Sequence, residues 1–172
     1  FLTSSARHLG NSERLARHAA MGFPAGTATE WFNLNAPALP PFEDLRPLHI
    51  SPPKGRLAAL VQAVERASDV VIVAPIYWYA LPAPAHLMLS HWSALIDHPD
   101  LGFAQTLRTR RMWMITARAD PDPTVPAEAE AMLRRTALWL GMDWASALHG
   151  IGDAPGEVEH DRAWELAPDF LV

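Results

Sequence analysis

Apolar residues fall into two kinds of run along this chain. Phe1-Leu2-Thr3, Val70-Val71-Ile72-Val73-Ala74 and Met112-Trp113-Met114-Ile115-Thr116-Ala117 are short and continuous, the pattern of strands covered on both faces of a parallel sheet. Between them the apolar residues recur at helical spacing. From near Glu13 the stripe is Leu15, Ala16, Ala19, Ala20 and Phe23; from Arg56 to about Ser68 it is Leu57, Leu60, Val61 and Val64. Further helices are predicted through His86, Leu87, Leu89, Trp92 and Ile96, and from Pro126 to Leu140 with Ala129, Met132, Leu133, Thr136, Ala137 and Leu140 inward and Gly141 ending the helix. Thr29–Leu34 reads as a short second strand, Trp144–Leu148 as a last one, and Asp161–Leu166 as a short terminal helix. Asn35 to Gly55, with Pro37, Pro40, Pro41, Pro47, Pro52 and Pro53, must be a long loop. Trp139 and Trp144 read as core.

Strands and helices therefore alternate, and right-handed crossovers turn five such strands into an α/β doubly wound parallel sheet. In such sheets ligands bind at the carboxyl ends of strands, near the switch in strand order. The loops that leave strands there with the most polar or aromatic character are Ser4–Ser12, Pro75–Tyr79 and Thr116–Asp120. The first, Ser4-Ser5-Ala6-Arg7-His8-Leu9-Gly10-Asn11-Ser12, has the makings of a phosphate cradle: hydroxyls, an amide and a guanidinium stand just before a helix whose first N–H groups lack internal partners. A polar turn that binds nothing is the competing reading of that stretch alone.

Composition narrows the chemistry. The 172 residues, 49% hydrophobic, fit one domain spanning 1–172 with a full core. A net charge of −5 argues against nucleic acid or an anionic membrane as partner. There is no cysteine, which removes disulfides, thiolate nucleophiles and Cys-ligated metal, and the eight histidines show no HExxH or similar spacing, so no metal is expected. No Gly-x-Ser-x-Gly elbow and no Gly-x-Gly-x-x-Gly fingerprint is present. Asp120 and Asp122, between prolines, read as solvated turn residues. No apolar run reaches the ~20 residues that span a bilayer, and no signal peptide is visible, so the expectation is a cytoplasmic protein. The chain opens on Phe1 without Met, and residues lengthening the first strand are expected to be missing.

Two motifs together resemble the flavodoxin-like NAD(P)H-dependent FMN reductases and their quinone-reductase relatives. Ser5-x-Arg7-x-x-Gly10-Asn11-Ser12 is similar to that family's FMN-phosphate loop, and Pro75-Ile76-Tyr77-Trp78-Tyr79-Ala80-Leu81-Pro82 to its flavin loop. A Gly152-Asp153-Ala154-Pro155-Gly156 turn near the end is also similar. The resemblance implies a flavodoxin-like sheet of order 2-1-3-4-5 with helices on both faces. It implies that Ser5, Arg7, Gly10, Asn11 and Ser12 hold the FMN phosphate. Pro75, Ile76, Tyr77, Trp78 and Tyr79 would line the isoalloxazine, while Thr116, Ala117 and Arg118, on to Ala119, close its other edge. Backbone N–H groups of Tyr77–Tyr79 would reach the ring's polar edge, and Arg118 turned inward would stabilise negative charge on reduced flavin.

The activity implied is hydride transfer from NAD(P)H through bound FMN to a quinone, flavin or similar small acceptor, in a homodimer or homotetramer. The cofactor carries the chemistry and no side chain need act as a base. Where relatives often carry Lys and Asp in the helix after the flavin loop, this chain has His86 and Ser90. Two other readings stand beside the enzyme: an FMN electron carrier without NAD(P)H turnover, and a flavin-free interaction module on the same fold.

Overall fold

The computed structural model describes residues 1–46 and 51–172, so Pro47 of the proline-dense loop lies outside the described residues. Five strands, β1 (Leu2–Thr3), β2 (Phe32–Asn33), β3 (Asp69–Pro75), β4 (Arg111–Arg118) and β5 (Asp143–Ile151), form one all-parallel sheet ordered β2-β1-β3-β4-β5. The order reverses between β1 and β3. Helices α1 (Asn11–Ala20), α2 (Gly55–Arg66), α3 (Ala83–Leu95), α4 (Phe103–Leu107), α5 (Ala127–Leu140) and α6 (Arg162–Phe170) connect and cover the strands.

The continuous apolar runs bury both faces because successive side chains point to opposite sides. Val70, Ile72 and Ala74 of β3, with Met112 and Met114 of β4, meet Leu60, Val64, Met88, Trp92, Leu133 and Ala137 from α2, α3 and α5. Val71, Val73, Trp113 and Ile115 meet Leu15, Ala16, Ala19, Ala163 and Ala167 from α1 and α6. Both layers lock the strands in register, so the loops after β1, β3 and β4 emerge side by side.

Several boundaries differ from the sequence expectation. Each of β3, β4 and β5 is longer than its apolar run: β4 reaches Arg118, and β5 extends to Ile151, through His149 and Gly150. β2 contracts to Phe32–Asn33. α4 was invisible because five residues carry no full helical period. Trp139 is not core: it is 75% exposed. The buried stripe of α5 runs Ala129, Leu133, Ala137, Leu140, and position 139 lies off it. Trp144 is half-buried against the first layer.

Candidate flavin site

Beyond β1 the chain turns through Ser4–Gly10 into α1, and this turn is braced from below. Ser4 is buried and donates to the Val73 carbonyl through both N–H (2.9 Å) and Oγ (3.3 Å). The Ser5 Oγ accepts the Arg7 N–H at 3.2 Å and donates to the Arg7 carbonyl at 3.0 Å, while Asn35 Nδ2 holds the Ser5 carbonyl at 2.9 Å. Glu13, in the first turn of α1, is buried; its Oε2 accepts the Leu9 N–H at 3.0 Å and its Oε1 pairs with Arg17 at 2.7 Å. The buried carboxylate is thus neutralised by Arg17. Arg7 stays exposed above the turn, its charge available to an anion.

Gly10 caps α1 without a side chain, so the Asn11, Ser12 and Glu13 N–H groups face outward at the positive end of the helix dipole. The Ser12 Oγ is buried without a hydrogen-bond partner among the described residues. A Cβ on Gly10 would stand 3.1 Å from Ser5 Oγ and 3.3 Å from the Arg7 carbonyl oxygen, so the close turn depends on its absence. These are features of an anion cradle.

Beyond β3 the Ile76 N–H donates to the Ala117 carbonyl at 2.9 Å, and Tyr77 and Ala80 exchange backbone hydrogen bonds of 3.0 Å in both directions. Trp78 and Tyr79 between them have φ of 52° and 65°, the two left-handed positions of a tight hairpin turn that glycine or asparagine usually fills. The turn leaves Trp78 94% exposed and Tyr77 and Tyr79 about half exposed, an aromatic rim holding the chain's only two tyrosines. The Tyr77 N–H is used inside the turn. Among the described residues that leaves Trp78 and Tyr79 as the N–H groups of this turn free to meet a ring edge.

Beyond β4, Arg118 is buried rather than reaching solvent. Its Nε donates to the Asp122 carbonyl at 3.1 Å, and its Nη1 is buried without a partner among the described residues. The Asp122 carboxyl caps Thr124, whose N–H and hydroxyl, helped by Arg118, hold it below the usual carboxylate range.

These loops converge on one cleft of about 150 Å³, lined by Ser5, Arg7, Gly10, Asn11, Ser12, Pro75, Ile76, Tyr77, Ala117, Arg118, Ala119, Gly152 and Asp153. Thr116 is not on it. Its side chain points beneath, 2.7 Å from His149 Nδ1, because alternation along β4 turns it toward α5. Trp78 and Tyr79 stand at the rim and do not line the cleft. The Asn11 side chain faces sideways, bonding to the loop after β5, so only its backbone N–H is left for a ligand. Gly152 and Asp153 are the wall that the sequence did not mark, although the turn they begin was visible.

The donor set fits FMN. An outward row of N–H groups, the buried Ser12 hydroxyl and Arg7 match a dianionic tail, and an apolar slot between Ile76 and Ala117, with the Arg118 guanidinium, whose Nη1 has no partner among the described residues, matches a large ring with polar edges. A larger cavity of about 630 Å³ lies at the opposite, amino ends of the strands, beside Phe1, Leu2, Val70 and Trp113. It has no comparable cradle, and it is remote from the carboxyl ends where ligands of this fold class bind.

No curated protein matches the chain by sequence. Among solved structures, the Trp repressor binding protein from Bacillus subtilis superposes with a TM-score of 0.79 at 18% identity, covering 99% of this chain and 96% of that one. An FMN-dependent NADH-azoreductase from Bacillus anthracis, in complex with FMN, gives 0.67 at 13% identity, with 98% and 95% covered. The NAD(P)H:quinone oxidoreductase from Methanothermobacter marburgensis gives 0.68 at 13%, with 98% and 88% covered. At these identities the likeness is one of fold, flavodoxin-like throughout. The model of the NADPH-dependent FMN reductase family matches residues 1–145, from β1 into the start of β5, and the chain belongs to that family of FMN oxidoreductases.

Proposed function

We propose that the protein oxidises NAD(P)H and passes the electrons to a small planar acceptor, a quinone, an azo compound or a free flavin, in alternating half-reactions at one cleft. FMN held in the cleft would supply the hydride-transfer chemistry. The chain binds and orients. Arg7, Ser12 and the first N–H groups of α1 hold the phosphate, with Ser5 and Gly10 shaping the turn. Pro75, Ile76, Tyr77 and Ala117 flank the ring, Trp78 and Tyr79 present their N–H groups and rings at its rim, and Arg118 faces its electron-rich edge. The observation that carries this reading is that Ser12 and Arg118, whose Oγ and Nη1 are buried without a partner among the described residues, line a single cleft walled by the loops after β1, β3 and β4.

The rim also supports an assembly. Trp78, Tyr77 and Tyr79 expose a contiguous aromatic surface next to the cleft, which a second copy of the chain would cover in a homodimer or homotetramer. Light scattering at micromolar concentration should give more than a monomer. No helix among the described residues is long and apolar enough to cross a membrane.

The test is a visible spectrum of the purified protein after loading with FMN and desalting, followed by anaerobic NADPH. Retained flavin that NADPH bleaches supports the reductase. Retained flavin that NADPH leaves oxidised makes the protein an electron carrier, and no retained flavin overturns the assignment.

A further inference from the structure

One side chain ties the loop after β5 to the start of α1. Asn11 Nδ2 donates to the carbonyl oxygens of Gly152 at 2.8 Å and Ala154 at 2.9 Å, and Asn11 Oδ1 accepts the Gly156 N–H at 2.8 Å. A carboxamide has two N–H donors, and both are used. Phosphate oxygens are acceptors, so this side chain cannot hold a phosphate while the three bonds stand.

The rest of the loop is satisfied as fully. The Gly152 N–H donates to the Arg118 carbonyl at 2.8 Å, and Glu157 Oε2 accepts the Asp153 and Ala154 N–H groups at 2.8 and 3.0 Å. Arg7 Nη1 donates to the Asp153 carbonyl at 3.1 Å, and the Gly156 carbonyl accepts the Glu159 N–H at 3.0 Å. Pro155 has no N–H to satisfy. A Cβ on Gly152 would stand 2.7 Å from Val158 N and 2.8 Å from Asn11 Nδ2, so the loop lies directly on the clasp. The 152–156 segment is therefore held in place, with Gly152 and Asp153 at its start walling the cleft, outside the 1–145 span that the family model matches.

We propose that Asn11 is a positioning residue rather than a phosphate ligand: its side chain sets the Gly152–Asp153 wall against the phosphate loop and so shapes the whole flavin cleft. The ligand in this inference rests on the flavin reading above; the clasp itself rests only on the hydrogen bonds. Loss of a direct ligand weakens binding of the phosphate alone. Loss of the wall weakens binding of everything in the cleft.

Riboflavin, which lacks the phosphate, separates the two. Titration of the purified protein with FMN and with riboflavin should show Asn11→Ala weakening both about equally, by roughly tenfold. Ser12→Ala should weaken FMN and spare riboflavin. Gly152→Ala, which presses on the clasp from the loop side, should repeat the Asn11→Ala pattern and serves if Asn11→Ala does not fold. Hydrogen exchange of the Gly156 amide, measured without flavin, should accelerate in Asn11→Ala. An Asn11→Ala protein that loses FMN but binds riboflavin as the parent does overturns the proposal, as does one with unchanged Gly156 exchange or unchanged affinity for both flavins. If the parent protein binds neither flavin, the cofactor reading and with it the cleft-shaping role fall, and Gly156 exchange alone decides whether Asn11 fixes the loop.

Discussion

Thr116 Oγ1 lies 2.7 Å from His149 Nδ1, and His149 Nε2 lies 2.9 Å from Glu130 Oε2. This chain of polar groups joins β4, β5 and α5 just beneath the cleft, with the Thr116 hydroxyl inside the protein. Thr116→Val puts a methyl against an imidazole nitrogen that has lost its partner. Unfolding in urea should show a loss of about 1–3 kcal/mol, with flavin affinity unchanged. A variant of normal stability and poor flavin affinity would move Thr116 back to the ring.

Gly10→Ala tests the cradle. The backbone there is extended, with φ −66° and ψ 168°, so alanine meets no conformational penalty. The added methyl must displace Ser5 Oγ or the Arg7 carbonyl. FMN affinity should fall about tenfold, with a small drop in melting temperature because the Ser5–Arg7 hydrogen bonds that brace the turn are strained as well. Equal loss for riboflavin would argue that the turn shapes more than the phosphate site.

Arg118→Ala removes a cleft-lining guanidinium whose Nη1 is buried without a partner among the described residues. A cation there favours the reduced, more negative flavin, so the variant should show a more negative potential in dye equilibration and slower NADPH oxidation. Unchanged potential and turnover would remove Arg118 from the chemistry.

Tyr79→Gly should separate stability from activity. Tyr79 has φ 65° and is 56% exposed, so glycine relieves backbone strain at little packing cost. A gain of roughly 0.5–1 kcal/mol in stability is expected, together with slower turnover as the aromatic rim opens. A variant that is both less stable and fully active would contradict this account of the turn.

Asp69 governs part of the acid limb of stability. Burial raises its pKa, but Arg111, Ser68 and the Trp113 indole N–H all donate to it and outweigh burial, leaving it below the ordinary 3.8. Its contribution is therefore present above the unfolded-state value and is lost as pH falls below about 4. Asp69→Asn should flatten that loss, as measured by urea unfolding at several pH values between neutrality and acid. A variant as acid-sensitive as the parent would assign the effect elsewhere.

The sheet was legible because β3 and β4 are covered on both faces, and covered strands must be apolar throughout: Val70–Ala74 and Met112–Ala117 could be little else. That Ser5, Arg7, Gly10 and Ser12 share one cleft was legible because they are near neighbours in sequence. Asn11 misled for the same reason. It sits among phosphate-type residues, and only the fold reveals that its amide faces the 152–156 loop. Trp139 misled because hydrophobicity alone does not fix azimuth on a helix, and the stripe through Leu133 and Ala137 leaves it outside. Thr116 belongs to the expected loop, yet strand alternation sends its side chain below the cleft.

The Asn11 bonds span 141 to 145 positions of sequence. On the ribosome the phosphate loop emerges 141 to 145 residues ahead of the segment that clasps it. A nascent chain carrying β1 through β4 already possesses most residues that would touch the cofactor, but the cleft lacks a wall until β5 joins the sheet and the turn after it docks on α1. Competence to take up flavin is thus expected only once the 152–156 turn has been made, and tight retention of the cofactor should report that β5 has found its place.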